Sequence, residues 1–180
     1  MSTLRELTAE NHAAAENTVF MRLFMAKAIT EKEYLSYLTQ MTLVYSALEP
    51  VASSIGLLDK LPGISRLSNI RQDLAELQTK VGTPSKVYND TVNYYNYIIR
   101  LSNPTDITAH FYVRYAGDMF GGQMMKPLAH GSGKWYDFEG NLPALRQSMR
   151  ELATPELAKE ANIAFTFNIQ ILESIMGNGF

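Results

Sequence analysis

The residues of this chain that could bind a metal or a redox cofactor are few. The 180 residues include three histidines, His12, His110 and His130, and no cysteine. The lack of cysteine excludes a disulfide scaffold, a thiolate metal site and a cysteine nucleophile. No glutamate lies three residues before a histidine, which argues against a di-iron centre built on paired Glu-x-x-His motifs. A site that needs imidazole must therefore use one of these three positions.

An unusual group of glycines surrounds Asp118. Gly117 and Gly121 are four residues apart and share a helix face, Gly122 adjoins them, and Arg114 lies one turn before Asp118. Each glycine costs an exposed helix about 1 kcal/mol relative to alanine. On the glycines alone, close helix packing or a broken helix is the simpler explanation, and a flat ligand against bare backbone is the alternative. Arg114 and Asp118 would equally fit a surface ion pair of little energetic value.

Helices must position these residues, because apolar side chains recur at spacings of three and four and capping signals separate the runs. Thr3 with Glu6 and Thr30 with Glu33 form capping-box patterns ahead of a first helix and a long second helix. Pro50 should kink or end that second helix. Its apolar stripe comprises Tyr34, Leu38, Met41, Tyr45 and Leu48.

Proline, glycine and capping residues predict the remaining boundaries. In chain order, we expect a helix capped by Ser65, and then a helix from Thr83-Pro84 through Arg100, which Ser102-Asn103-Pro104 ends. The next helix should run from about Thr105 toward His130, and a loop should follow over 131–141. The last two helices should start at Pro143 and at Thr154-Pro155. The pattern predicts a single all-α domain over residues 1–180.

The overall composition disfavours several classes of partner. Sixteen Lys and Arg against 18 Asp and Glu give a net charge of −2, without the basic excess of a nucleic-acid binder. The polar N-terminus does not resemble a signal peptide, and no apolar run reaches membrane-spanning length. These features predict a cytoplasmic protein that binds neither nucleic acid nor membrane.

The run from Tyr112 to Gln123, YVRYAGDMFGGQ, closely resembles the distal-helix signature of haem oxygenases. Further segments resemble the proximal helix and the last core helix of that family: residues 4–6, residues 10–17 with 20–22, and residues 164–170. The similarity follows most of the chain in order and is weakest over 56–83 and 131–141. It implies an all-α fold in which haem lies between a proximal helix and a kinked, glycine-rich distal helix.

The resemblance implies a set of haem-binding residues. They are His12 as the iron ligand, Glu16 beside the other ring nitrogen, Arg5, Tyr112, Arg146 and Arg150 at the propionates, Gly121 and Gly122 against the ring, and Phe165 as a pocket wall. Arg5 lies seven residues before His12, about 10 Å along a helix, and Arg146 and Arg150 are one turn apart. Taken singly, each arginine is more simply explained as a solvated surface charge, and it is the agreement of their spacing that favours propionate binding.

The resemblance also implies the reaction, the oxidative cleavage of haem by O2 and externally supplied electrons to biliverdin, CO and Fe2+. Asp118 would act through a water molecule, and the bare backbone at Gly117 and Gly121 would leave room for oxygen. The polar network implied around Asp118 comprises Arg114, Tyr45, Tyr97 and Asn168. By themselves, Tyr45 and Tyr97 fit core positions equally well.

Electrons must come from a separate protein, because the chain carries no flavin or dinucleotide fingerprint. Resemblance to the soluble microbial and plastid haem oxygenases implies ferredoxin as the donor, and a biliverdin-using enzyme would act downstream. The alternative is a haem carrier or sensor, which would need His12 and the arginines but neither Asp118 nor the glycines.

Overall fold

The computed structural model describes residues 1–82 and 86–177, which are mostly helical and contain no β-strand. The α-helices, in chain order, are α1 (Leu4–Glu16), α2 (Val19–Met25), α3 (Glu31–Ser54), α4 (Leu57–Lys60), α5 (Leu67–Val81), α6 (Asn89–Ile98), α7 (Pro104–Ala116), α8 (Gly122–Met125), α9 (Leu142–Leu152) and α10 (Ala158–Gly177). A π-helical segment, Gly117–Gly121, joins α7 to α8. The predicted all-α fold class is confirmed.

Both predicted capping boxes are present. The Thr3 hydroxyl accepts a hydrogen bond from the Glu6 N–H at 3.2 Å, and the Glu6 carboxylate accepts one from the Thr3 N–H at 2.8 Å. Thr30 and Glu33 repeat the arrangement at the start of α3. Because these bonds span only three residues, the local sequence is enough to predict them.

Pro50 does not end α3, which continues to Ser54. Proline removes one helical hydrogen bond and clashes with the preceding turn, which is why the sequence predicts a break. Here Pro50 is exposed, while Leu48 and Ala52 on either side of it are buried in the core. Continuing the helix preserves their packing.

The sequence predicts that Ser65 caps α5, and this prediction is wrong. A side chain from another helix caps α5 instead. Arg66 occupies the cap position without a side-chain hydrogen bond. The Glu49 carboxylate of α3 accepts from the N–H groups of Arg66 and Leu67, the latter at 2.9 Å, and from the Ser65 hydroxyl at 2.8 Å. A carboxylate at a helix N-terminus satisfies free N–H groups and complements the helix dipole.

The other boundaries follow the prediction with two differences. Thr83-Pro84 lies outside the described residues, and the helix expected after it begins only at Asn89. Asn103 caps α7 through a bond from the Thr105 N–H, as its position before Pro104 predicts. The predicted loop over 131–141 contains a 3-10 turn, Lys134–Tyr136.

The helices surround a core in which α10 is central. It packs against α1 and α2 near the N-terminus and against α6 and α7 from the middle of the chain. On the other side, α3 packs against α5 and α6. The turn Lys134–Tyr136 inserts Trp135 and Tyr136 into the same core, where both side chains are almost completely buried. No helix in the described part of the chain is long and apolar enough to span a membrane.

Candidate functional site

The glycine-rich segment replaces regular α-helix with a π-helical turn. The α-helical pattern of α7 ends at Ala116, runs as π-helix over Gly117–Gly121 and resumes at Gly122. π-Helical turns inside α-helices are rare and occur frequently at functional sites. The interruption predicted from the glycines is therefore present, in the form of a widened turn.

Gly117 and Gly121 present bare backbone to open space. A Cβ atom built on Gly117 would meet nothing within 4 Å, and one on Gly121 would meet only the sulfur of Met125, at 4.0 Å. Both glycines have ordinary helical φ angles, −56° and −89°, which any residue can adopt. Neither strain nor helix packing among the described residues requires glycine here, whereas a flat ligand lying against the backbone would.

Gly122 faces a different neighbour. A Cβ atom there would lie 2.6 Å from Cδ1 of Tyr136, so the inner packing of this segment excludes any side chain. Gly122 is buried, unlike Gly117. Its Cβ direction is filled by Tyr136, and contact between the Gly122 backbone and a ligand stays a prediction.

Asp118 points away from the open face and is buried. Its carboxylate accepts a hydrogen bond from the hydroxyl of Tyr45, a fully buried residue of α3. Burial raises the pKa of the Asp118 carboxyl to about 6, against the opposing effects of the nearby Arg114 charge and the Tyr45 hydrogen bond. The carboxyl can therefore take up and release a proton near neutral pH.

Arg114 is buried beside this carboxyl. Its guanidinium donates to Asn168 of α10 and lies 3.0 Å from the sulfur of Met41 and 5.7 Å from the Tyr45 ring centre. The interpretation of Arg114 and Asp118 as a surface ion pair is wrong, because both side chains are in the interior. Three of the four residues expected around Asp118 thus come together: Arg114, Tyr45 and Asn168.

Tyr97, the fourth, lies in a separate cluster. Its hydroxyl donates to the Glu160 carboxylate at 2.8 Å, and the same carboxylate lies 3.0 Å from Nε2 of His110. Nδ1 of His110 is 2.8 Å from the Tyr94 hydroxyl. His110 is fully buried, and burial lowers the pKa of its ring. This cluster joins α6, α7 and α10. The sequence predicts Tyr97 in the polar network around Asp118, whereas its hydroxyl is bonded to Glu160.

His12 is the exposed histidine of the three. Its Nδ1 lies 3.6 Å from the Glu16 carboxylate, and 58% of its side chain is exposed. Its ring meets the edge of Phe165, from α10, at 5.7 Å between ring centres. His110 is buried, and Nε2 of His130 lies 2.8 Å from the carbonyl oxygen of Ile29. With Nδ1 facing Glu16, Nε2 of His12 is the ring nitrogen suited to bind iron.

Cationic groups lie beside the distal segment. The Arg150 guanidinium of α9 is 5.2 Å from the ring centre of Phe120, and its charge opposes the rise that burial causes in the pKa of Tyr112. Nε of Arg146 is buried and has no hydrogen-bond partner among the described residues. Buried donors are normally paired, so this atom fits a carboxylate ligand such as a haem propionate. Arg5 is exposed on α1.

The sequence analysis does not predict two residues that lie beside Asp118 and Arg114. Met41 was expected only as part of an apolar stripe, and Trp135 lies in the predicted loop. Trp135 is the only tryptophan of the chain, and a large aromatic residue in a loop with three glycines was the one signal that it enters the core. Nowhere among residues 1–82 and 86–177 do three or more His, Asp or Glu side chains gather to hold a metal ion.

Comparison with known proteins gives a consistent result. Residues 1–174 match the family model described as Heme oxygenase. The chain is 28% identical to Heme oxygenase 1 of Synechocystis, over 98% of this chain and 85% of that protein. It is 30% identical to Heme oxygenase of Rhodella violacea, over 97% of this chain and 86% of that protein.

Solved structures have the same fold. Heme oxygenase from Leptospira interrogans superposes with a TM-score of 0.82 and 27% identity, covering 95% of this chain and 97% of that one. Heme oxygenase-1 of Synechocystis in complex with heme gives a TM-score of 0.80, covering 97% and 91%. With the family model matched over residues 1–174, the chain belongs to the haem oxygenase family.

Proposed function

We propose that this protein binds haem between α1 and the π-helical segment and degrades it with O2 and externally supplied electrons to biliverdin, CO and Fe2+. The observation that carries the proposal is the two-sided distal segment. Its outer side is bare backbone at Gly117 and Gly121, and its inner side holds the buried, titrating carboxyl of Asp118. A haem carrier or sensor has no need for that carboxyl.

Haem would be held from both sides. His12, from α1, would bind the iron through Nε2 while Glu16 stays beside Nδ1. The propionates would pair with Arg146 and Arg150, and the buried Nε of Arg146 has no hydrogen-bond partner in the described part of the chain. Tyr112 and Arg5 would bind the same carboxylates, and Phe165 would border the ring.

Haem supplies the redox-active iron and also the porphyrin ring that is cleaved. The protein supplies bare backbone at Gly117 and Gly121, which would leave room for oxygen beside the bound haem. Asp118 holds a proton at its carboxyl near pH 6 and would pass it outward through water. The Tyr45 hydroxyl donates to that carboxyl, and the charge of Arg114, whose guanidinium is bonded to Asn168, favours its ionised form.

The electron donor is proposed to be ferredoxin, which supplies single electrons of low potential, and a biliverdin-using enzyme is proposed to take the product. The cytoplasm stays our prediction for the compartment. We also propose that residues 1–180 act as one domain, since the main core draws side chains from α2 through α10.

The test is a haemin titration followed by turnover. Purified protein should develop a Soret band with one equivalent of haemin, and His12→Ala should weaken or shift it, whereas the matched variant His130→Ala should leave it unchanged. With ferredoxin, its reductase and NADPH in air, the band should give way to biliverdin absorbance. Haem that stays bound and intact, with ferredoxin and with ascorbate alike, would refute the enzyme and leave a carrier. Turnover with ascorbate alone would refute only the proposed donor.

A further inference from the structure

Phe120, in the π-helical segment, is exposed although its side chain is large and aromatic. Among the phenylalanine, tyrosine and tryptophan side chains of residues 1–82 and 86–177, it is the only exposed one, at 38%. Asp118 and Met119, immediately before it, are buried. Single exposed apolar residues are common on protein surfaces, so the exposure of Phe120 is informative only through what lies around it.

Phe120 shares a helix face with the two bare glycines. Positions on one side of a helix are spaced by three and four residues, and the glycine face defined in this way comprises Gly117, Phe120, Gly121 and Met124. All four are exposed or half-buried, and Met124 is 66% exposed. A face that combines bare backbone with two large apolar side chains suits a flat, largely apolar ligand, such as the haem that we place there.

Arg150 contacts the Phe120 ring from a different helix. The central carbon of its guanidinium lies 5.2 Å from the ring centre, within the range of a cation–π interaction. Arg150 is exposed in the last turn of α9, and it forms no ion pair with another of the described residues. A planar guanidinium stacks readily on an aromatic ring, so Phe120 restrains a long side chain that no carboxylate in this part of the structure holds.

The other cation of α9 is restrained in a different way. Arg146 lies one turn before Arg150, and its Nε is buried without a hydrogen-bond partner among the described residues. Burial thus restrains Arg146, whereas the Phe120 ring restrains Arg150. Two cations one turn apart, each with a defined position, suit a ligand that carries two carboxylates on one edge.

We propose that Phe120 is a positioning residue for Arg150, its ring holding the guanidinium beside the glycine face for one of the two haem propionates. The propionates determine how the porphyrin is seated, so Phe120 also influences which meso carbon is cleaved. The consequence for haem rests on the proposed function, whereas the contact between Phe120 and Arg150 is a property of the haem-free protein.

The contact itself is tested without haem. Protons that lie over an aromatic ring are shifted upfield, so the Nε–H signal of Arg150 should be shifted in a 15N-labelled sample, and Arg150→Gln identifies this signal by its loss. Phe120→Leu keeps a large apolar side chain and should remove the shift, whereas Phe120→Tyr keeps the ring and should preserve it. Both variants should fold, because Phe120 is exposed. An Arg150 signal at the same position in Phe120→Leu would overturn the proposal.

Haemin affinity then tests whether the contact acts on the ligand. Phe120→Leu should raise the Kd for haemin about two- to fivefold, the range of a cation–π interaction, and Phe120→Tyr should leave it near the wild-type value. In an Arg150→Gln background, Phe120→Leu should have no further effect on the Kd. Met124→Leu, on the same face, is the matched control, and any effect that it has should be equal with and without Arg150.

The outcomes distinguish this inference from the proposed function. A wild type that binds no haemin would contradict the proposed function and, with it, any role of the contact in binding. Normal haemin binding with an unchanged Kd in Phe120→Leu would overturn this inference alone. An increase in Kd that persists in the Arg150→Gln background would also overturn it, because Phe120 would then act on haem directly. Where biliverdin forms, Phe120→Leu should mix its isomers, and an unchanged single isomer would contradict the effect on porphyrin seating.

Discussion

At the scale of single residues, Asp118 links stability to protonation. Burial raises the pKa of its carboxyl from 3.8 to about 6, although Arg114 and the Tyr45 hydroxyl act in the opposite direction. The folded protein therefore binds this proton more tightly than the unfolded chain does. The carboxyl contributes its full stabilisation below about pH 4 and loses it as the pH rises through about 6, a change of about 3 kcal/mol.

We expect Asp118→Asn to remove this pH dependence. Between pH 4 and pH 7, the wild type should lose up to about 3 kcal/mol of unfolding free energy that the variant does not lose. The difference in unfolding free energy, variant minus wild type, should therefore increase by that amount. Urea denaturation of both haem-free proteins across that range measures the difference, and contributions from other titrating groups such as His110 cancel. Parallel stability curves would show that Asp118 has an ordinary pKa.

Arg146 carries a second residue-scale prediction, because its buried Nε has no hydrogen-bond partner among residues 1–82 and 86–177. A charge-assisted hydrogen bond to a propionate contributes about 1.5–3 kcal/mol, so Arg146→Gln should raise the Kd for haem about tenfold or more. Arg71→Gln, at an exposed position of α5, should leave the Kd unchanged. Haemin titration followed at the Soret band provides both values, and equal affinities in the two variants would remove Arg146 from the site.

The sequence predicts much of the site at this scale. The signature around Asp118 and the later match at Asn168 identify residues that do meet, because one helix face positions Arg114 and Asp118 and α10 brings Asn168 to them. Trp135 could not be predicted, since the Asp73 and Arg66 bonds that fix it join residues 62 and 69 positions apart. Nor does the sequence show that Gly122 faces Tyr136, a tertiary contact.

At the scale of the elements, the π-helical segment presents glycines that its own packing does not require. We expect Gly117→Ala to stabilise the haem-free protein by up to about 1 kcal/mol, because the new methyl meets no neighbour and alanine favours the helix. The same methyl should weaken haem binding, because it projects from the face on which we place the ring. Thermal unfolding and haemin titration measure the two effects.

Gly122→Ala is the matched control for this segment. Its methyl would meet Tyr136 at 2.6 Å, so this variant should lose stability where Gly117→Ala gains it. If Gly117→Ala binds haem as tightly as the wild type, the open face is not the haem face.

The start of α5 depends on α3, and this gives another prediction. Glu49→Ala should cost more than about 2 kcal/mol, because the N–H groups of Arg66 and Leu67 and the buried Tyr115 hydroxyl lose their acceptor. Ser65→Ala should cost less than about 1 kcal/mol, because the Ser65 hydroxyl donates to Glu49 and does not cap the helix. Urea denaturation of the two variants distinguishes a distant cap from a local one, and a larger loss in Ser65→Ala would reverse the assignment.

The helices themselves show why some boundaries can be predicted and others cannot. The capping boxes at Thr3 and Thr30 lie within three residues of their partners, so the sequence alone is sufficient. Pro50 and Ser65 depend on what the folded core places beside them. Pro50 is tolerated within α3 because its buried neighbours pack in the core. Ser65 does not cap α5 because the Glu49 carboxylate of another helix accepts from the free N–H groups there.

At the scale of the whole molecule, α10 connects the two sides of the site. It packs against α1, where Phe165 meets His12, and against α7, where Asn168 meets Arg114. The candidate iron ligand and the candidate proton-holding group are therefore positioned by one 20-residue helix. This arrangement allows haem binding and haem cleavage to be separated by mutation, because the two groups lie on different helices beside α10.

The most direct test of the account is to compare turnover in the wild type and in Asp118→Ala, each loaded with one equivalent of haem. With ferredoxin, its reductase, NADPH and air, the wild type should form biliverdin. Asp118→Ala should bind haem with a similar Soret band and form no biliverdin, or at most a few per cent of the wild-type amount. Biliverdin at the wild-type rate from Asp118→Ala would contradict the role of this carboxyl, and intact haem in the wild type would contradict the reaction itself.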